Sequence, residues 1–327
     1  MRAAWYSEYG EARTVLQVGE LPDPAPAAGE VRVRIHASGI SPTDVYQRSG
    51  ARRRPWNFPK IVPHQDGAGV IESVGEGVPR GRIGERVWLH MAQWQRPHGT
   101  AAGFTVIPAE RAARLPDNTR HAQGACLGVP AMTAHRIVTL EGSVSGQTVF
   151  VPGGAGAVGY YAVQLARSFG ARVFASAGNA ANAALAQSAG AEAVIDYKTE
   201  DVGERIAELT GGQGVDRLLE VDLSANAPSL PKVLKKGGSV IVYGASAPEA
   251  SFPANWGIGS QACVRFVYIY DTPPAALAQA VADLNRMMDA GELRHLPTRE
   301  FPLELIASAH EAVERGNHGV RTVVRID

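Results

Sequence analysis

The sequence predicts a two-domain α/β chain in which a compact antiparallel barrel precedes a doubly wound parallel sheet. Three observations carry this: a length of 327 residues, an apolar pattern of period two near the start, and a regular strand–helix alternation from Thr148 onward. Chains longer than roughly 250–300 residues usually divide into more than one core.

The first element is a half-buried strand, because Val31, Val33 and Ile35 alternate with Arg32, Arg34 and His36. Short apolar runs follow at 69–74, 86–89 and 104–107, with Pro79, Gly81, Gly84 and Pro108 as turn formers between them. Turn-bounded strands without helices suit an antiparallel barrel. Near residue 120 the pattern changes. Strands at 148–151, 172–176, 193–195, 217–220 and 239–243 alternate with helices that end near Gly170, near Gly190, beyond Ile206 and Leu209, and at Lys235. Such alternation needs crossover connections, so the sheet is parallel and covered on both faces. A helix over 274–290 and a strand over 321–326 complete the chain.

Composition excludes several classes. Thirty-two Lys and Arg balance thirty-two Asp and Glu, which leaves no excess charge for nucleic acid or anionic lipid. Arg52, Arg53 and Arg54 form the one basic run and read as a solvated loop. Two cysteines, Cys126 and Cys263, make no disulfide framework, and the first residues lack the apolar core of a signal peptide, so a cytoplasmic location is expected. The uncharged stretch 143–166 is long enough to span a bilayer, but Pro152 and five glycines break it into strand, turn and helix.

That break is the most informative segment. Gly154, Ala155, Gly156, Ala157, Val158 and Gly159 spell G-x-G-x-x-G between a predicted strand and a predicted helix. A pyrophosphate needs backbone N–H groups at a helix N-terminus and no side chains to hold it off, so the segment predicts dinucleotide binding. NAD-binding turns usually place an acidic residue about 20 positions on, against the ribose. Here that place holds Phe174 to Asn179, and no acidic residue occurs between Gly159 and Glu192. A carboxylate there would repel a 2′-phosphate, so its absence permits NADPH. Ser176, Asn179 and Tyr197 offer hydrogen bonds to that phosphate, with Arg321 or Arg325 as a distant source of charge.

Several further segments carry a family resemblance: Gly39 to Asp44, Tyr46 to Gly50, His64 to Val70, and Leu127 to Ala134. With the glycine turn they resemble the zinc-independent quinone oxidoreductase, or zeta-crystallin-like, branch of the medium-chain dehydrogenase/reductase superfamily. The resemblance implies a GroES-like domain made from 1–120 and 265–327, a Rossmann cofactor domain over 121–264, and a cleft for nicotinamide. It implies homodimers joined through the strand-like 264–270. By family position, Asn226, Gly244, Ala245 and Ser246 border the cofactor, and Tyr268, Ile269 and Tyr270 lie near the nicotinamide. Tyr46 aligns with a tyrosine that contacts cofactor or substrate; Ser41 and His64 are the other polar groups expected near the cleft. The 91–97 loop with Trp94 is a candidate apolar wall.

The zinc-dependent members hold their metal with Cys, His and Cys. Here those positions read Ser41, His64 and Cys126, and the four-cysteine lobe is missing. Catalytic zinc normally needs three protein ligands, so no metal is expected. Without a Lewis acid the favoured acceptors already accept hydride readily, which points to quinones, with enones or enoyl compounds as the alternative. A cofactor-binding crystallin-like protein with little turnover is the non-enzymatic alternative.

Overall fold

The computed structural model describes residues 1–51, 58–316 and 319–326; the arginine run at 52–54 lies outside the described residues. The chain divides into two compact units, Met1–Pro130 with Val281–Asp327, and Ala131–Ala280. These boundaries differ from 120/121 and 264/265. Both fall inside helices, Gly128–Thr139 and Pro274–Asp289, so no Gly- or Pro-rich linker marks them in the sequence.

The first unit is built on a seven-stranded sheet. Its path runs Thr298–Pro302, Arg321–Arg325, Glu30–Gly39, Asp66–Val74, Arg86–Leu89 and Ala112–Arg114, and Phe104–Pro108 pairs with Glu30–Gly39 as well. All pairings are antiparallel except that between the two tail strands. The period-two set Val31, Val33 and Ile35 packs with Ile71, Val87, Leu89 and Ile107 in one core, joined by Val324 and Ile326 from the tail. The register that places this set inward is fixed because a slip of one residue would turn every apolar side chain outward.

The second unit holds a six-stranded sheet ordered Ala193–Asp196, Arg172–Ala177, Thr148–Val151, Val215–Glu220, Leu234–Val242, Cys263–Phe266. Every pairing is parallel. This is the 3-2-1-4-5-6 order of a dinucleotide-binding sheet, and the strand order reverses between Thr148–Val151 and Val215–Glu220. Phe150, Phe174, Ile195, Leu218 and Val240 form its core with Ile206, Leu230 and Val233 from the covering helices. One expected element differs. The helix predicted to reach Lys235 ends at Val233 and is irregular, with α turns at Leu223–Asn226 and Leu230–Val233 joined by a 3-10 turn at Ala227–Ser229, and Lys235 already belongs to the next strand. Pro228 and Pro231 remove the N–H donors that a continuous helix requires. Among the described residues no helix is long and apolar enough to cross a membrane.

Candidate active site

The glycine turn sits where the doubly wound sheet predicts a ligand, past the end of Thr148–Val151 at the reversal of strand order. Gly153 adopts φ 66°, and its carbonyl accepts from the Gly156 N–H at 2.8 Å. The neighbouring strand braces the turn: Ser176 accepts from the Gly153 N–H on its hydroxyl at 3.2 Å and from the Gly154 N–H on its carbonyl at 3.0 Å. Ser176 is therefore buried and holds the turn's shape. A Cβ on Gly154 would fall 2.6 Å from that of Ala175, and one on Gly159 would fall 2.3 Å from the Gly153 carbonyl oxygen. The helix Gly159–Ser168 starts without a side-chain cap; the Tyr160 N–H donates to the Gly156 carbonyl at 2.9 Å, and the end of the helix dipole favours an anion beside the turn. Ala155 is buried, Ala157 and Val158 are half-buried, and Gly156 is exposed.

A cavity of about 670 Å³ adjoins the turn, lined by Gly153, Ser176, Tyr197, Glu220, Asp222 and Asn226 among others. Asn226 donates to Glu220 at 2.8 Å. Burial pushes the Glu220 carboxyl up, and its Oε2 has no partner within the protein. Burial also acts to raise Asp222, but hydrogen bonds from Ser224 and Ser246 outweigh it and hold the group at about 2. The Ser246 N–H donates to Asp222 at 2.9 Å, which ties the 244–246 segment to this wall. Gly244 permits the approach, since a Cβ there would fall 2.0 Å from the Val221 carbonyl oxygen; Ala245 follows it, exposed. Tyr268 and Tyr270 flank buried Ile269 with their rings 5.2 Å apart.

At the end of the second strand, Asn179 caps Ala180–Ala189 by accepting from the Asn182 N–H at 2.9 Å. Tyr197 and Lys198 close over Gly178, where an added Cβ would lie 2.5 Å from the Tyr197 hydroxyl and 3.1 Å from Lys198 Cε. Lys198 is the residue that sequence reasoning missed. It lies after the third strand, so a search limited to the end of the second strand could not reach it; parallel pairing of Ala193–Asp196 with Phe174–Ala177 brings it alongside.

In the first unit, Tyr46 stands 40% exposed on the helix Pro42–Ser49. The other two expected catalytic groups are sealed. Ser41 starts that helix, and its N–H donates to Asp44 at 2.7 Å. The Ser41 hydroxyl donates toward Asp66 at 3.4 Å and accepts from Arg321 Nη2 at 3.3 Å. Thr100 donates to the Asp66 carbonyl at 2.6 Å, so Ser38 must donate to Thr100 at 2.7 Å and accept from His64 Nδ1 at 2.7 Å. Burial holds His64 at about 3 and keeps it neutral. Its Nε2 is then a lone pair, which accepts from His310 Nε2 at 2.9 Å. Both His64 ring nitrogens are engaged inside the barrel.

Arg321 is not placed as a partner for the 2′-phosphate. Only 1% exposed, it donates to the Ile40 carbonyl at 3.2 Å as well as to Ser41, among the buried Asp44, Asp66 and Cys126. A strand position that pairs with the barrel sheet turns this side chain inward. Its cation also bears on zinc, because the donor set does not fit the ion. Ser41 is a neutral hydroxyl with two partners, and His64 has no nitrogen left over. Burial pushes the Cys126 thiol up to about 11, away from thiolate, and the thiol donates to Ala122 at 3.2 Å. A fixed guanidinium beside Ser41 and Cys126 would repel a dication. The half-buried Trp94 lies between two left-handed backbone positions, Met91 at φ 56° and Gln95 at φ 57°.

A glycine turn at the switch point, an uncapped helix and a lined nucleotide cavity define a nicotinamide-dependent oxidoreductase of the medium-chain type. Comparison with known proteins agrees. Residues 27–117 match the alcohol dehydrogenase GroES-like domain and residues 157–286 the zinc-binding dehydrogenase family. The quinone oxidoreductase of Rattus norvegicus is 30% identical over 96% of this chain and 94% of its own. The solved quinone oxidoreductase of Escherichia coli complexed with NADPH is 26% identical, with TM-score 0.83 and full coverage of both chains. An NAD-dependent alcohol dehydrogenase is 26% identical with TM-score 0.91, again over the whole of both chains. The chain belongs to the quinone oxidoreductase branch of the medium-chain dehydrogenase/reductase superfamily.

Proposed function

We propose that the protein carries hydride from NADPH to a quinone or similar activated carbonyl acceptor without a metal. The observation that carries this reading is the convergence of Tyr197 and Lys198 on Gly178, at the place where an NAD-binding chain usually sets a carboxylate. Nearby carboxylates already have partners: Glu200 accepts from the Asp196 N–H at 2.7 Å, and Asp201 accepts from Glu204 at 2.9 Å and Lys232 at 3.2 Å. A cation and a phenol at this position favour a 2′-phosphate.

The reduced nicotinamide supplies the hydride when bound. The protein's own residues do the rest: the Gly153–Gly159 backbone receives the pyrophosphate, Lys198 and Tyr197 take the 2′-phosphate, and the wall of Asn226 and Ser246 borders the nucleoside. Tyr46 donates a hydrogen bond to the acceptor oxygen as negative charge develops there. The buried Ser41–Asp44–Arg321 contacts fix the start of the helix that presents Tyr46, so Ser41 and Arg321 act as positioning residues. An acceptor that takes hydride readily suits a site with this donor set.

The homodimer belongs to the same proposal. Cys263–Phe266 is a sheet edge, with Phe266 72% exposed on it and Ile258 77% exposed just before it, which is the type of edge that pairs with a second copy. Loss of NADPH absorbance with a panel of quinones and enones tests the activity. Turnover with quinones and a marked fall in Tyr46→Phe with little change in NADPH affinity are expected; inert chemistry with every acceptor would overturn the assignment.

A further inference from the structure

The barrel unit carries a second cavity of about 550 Å³ whose rim is basic. Arg34 and His36 come from Glu30–Gly39, Arg325 from Arg321–Arg325, Arg120 and His121 from the start of the short helix His121–Gly124, and Arg2 from the first strand. Among the described residues one carboxylate, Glu300, lines it. Arg2 is answered by Glu304 at 3.3 Å, and Arg34 lies over the Phe104 ring at 5.1 Å, which leaves its charge at the surface. The rim arginines are exposed, whereas the floor is half-buried and formed by His36 and His121, stacked with centroids 4.7 Å apart.

Both floor histidines are held below their ordinary range. Burial first, then Arg34 and Arg86, lower His36; burial first, then His36 and Arg86, hold His121 at about 4. His121 Nε2 is buried without a partner in the protein. Arg86 itself is occupied, donating to the Pro116 and Thr119 carbonyls and to Asp117, so it adds field without needing a ligand. Guanidinium groups on several sides of one cavity match an oxyanion with more than one charge.

We propose that this groove is a second ligand site, separate from the glycine turn, which binds a small multiply charged oxyanion such as a diphosphate or a polycarboxylate. It lies wholly within the barrel unit and does not depend on the catalytic reading.

The test is calorimetric titration of the full chain, saturated with NADPH so that the turn is filled, with pyrophosphate and with citrate at matched ionic strength. Saturable binding of either anion is expected: both for a general polyanion groove, one for a phosphate or carboxylate preference. Arg34→Gln with Arg120→Gln should weaken it at least tenfold while leaving NADPH affinity and thermal unfolding near those of the parent. Arg120→Gln alone should weaken it several-fold, which keeps the test open should the double variant fail to fold. Binding should also raise the titration midpoints of the His36 and His121 ring signals. Absence of binding by both anions, or equal affinity in parent and folded variants, would overturn the proposal.

Discussion

Replacing Lys198 by glutamine isolates the electrostatic part of cofactor choice. The lysine is exposed and closes over Gly178 from the end of the third strand. A unit charge pair at about 4 Å is worth about 1 kcal/mol in water and about 4 at an effective dielectric of 20. An exposed lysine belongs near the lower figure, and a phosphate carries roughly −1.5 to −2 charges at neutral pH. The product is about 1.5–2 kcal/mol, or roughly ten- to thirtyfold in dissociation constant. Fluorescence titration of parent and Lys198→Gln with NADPH and with NADH gives the answer. NADPH should weaken by that factor and NADH should hardly change, and the NADPH loss should shrink as salt is added. Equal effects on both cofactors, or none, would refute the idea that Lys198 faces the 2′-phosphate.

Other perturbations probe the remaining links. Gly159→Ala pushes a Cβ to 2.3 Å from the Gly153 carbonyl, so affinity for both cofactors should fall more than tenfold while far-ultraviolet circular dichroism is retained. Arg321→Met removes a buried cation from Ser41, Asp44 and Asp66; a loss of about 3–5 kcal/mol in urea unfolding is expected, and an unaltered midpoint would show that these contacts contribute nothing. Protein prepared without chelator should contain far less than one equivalent of zinc by elemental analysis, and stoichiometric zinc would contradict the reading of the Ser41, His64 and Cys126 donors. Acid should destabilise the fold. His64, His90 and His310 are all held below 6.5 by burial, so between about 6.5 and 4 the unfolded chain binds three protons that the native chain refuses. Asp44, pushed up to about 7 by burial, and Asp66, raised well above its ordinary value by burial and by Asp44, hold protons that the unfolded chain releases above about 3.8 and so oppose the trend. The three histidines outnumber the two carboxyls, so these five groups together lower stability as the pH falls below about 6.5. Urea midpoints at pH 7, 6 and 5 check the sign, and a rise on acidification would show that the carboxyls dominate.

The amino-acid order by itself determined the two-part α/β design, the strand–helix alternation and the phosphate turn. Those features rest on local rules: period-two alternation for a barrel strand, crossover connections for a parallel sheet, and glycines wherever backbone must meet backbone or phosphate. Gly154 and Gly159 are legible for that reason, since the contacts that exclude a Cβ lie within the turn or on the adjacent strand and helix. Other features were decided only by tertiary structure. Lys198 reaches Gly178 through parallel strand pairing, and Arg321 meets Ser41 across 280 positions of chain because the tail strand joins the barrel sheet. Spacing in sequence carries no trace of such meetings. Whether a polar side chain faces a ligand or is sealed among hydrogen bonds, as His64 is between Ser38 and His310, depends on which distant residues fold over it. Burial and partner choice are collective properties of the packed chain, which is why residue types alone named the right family but could not show that Ser41, His64 and Arg321 are buried.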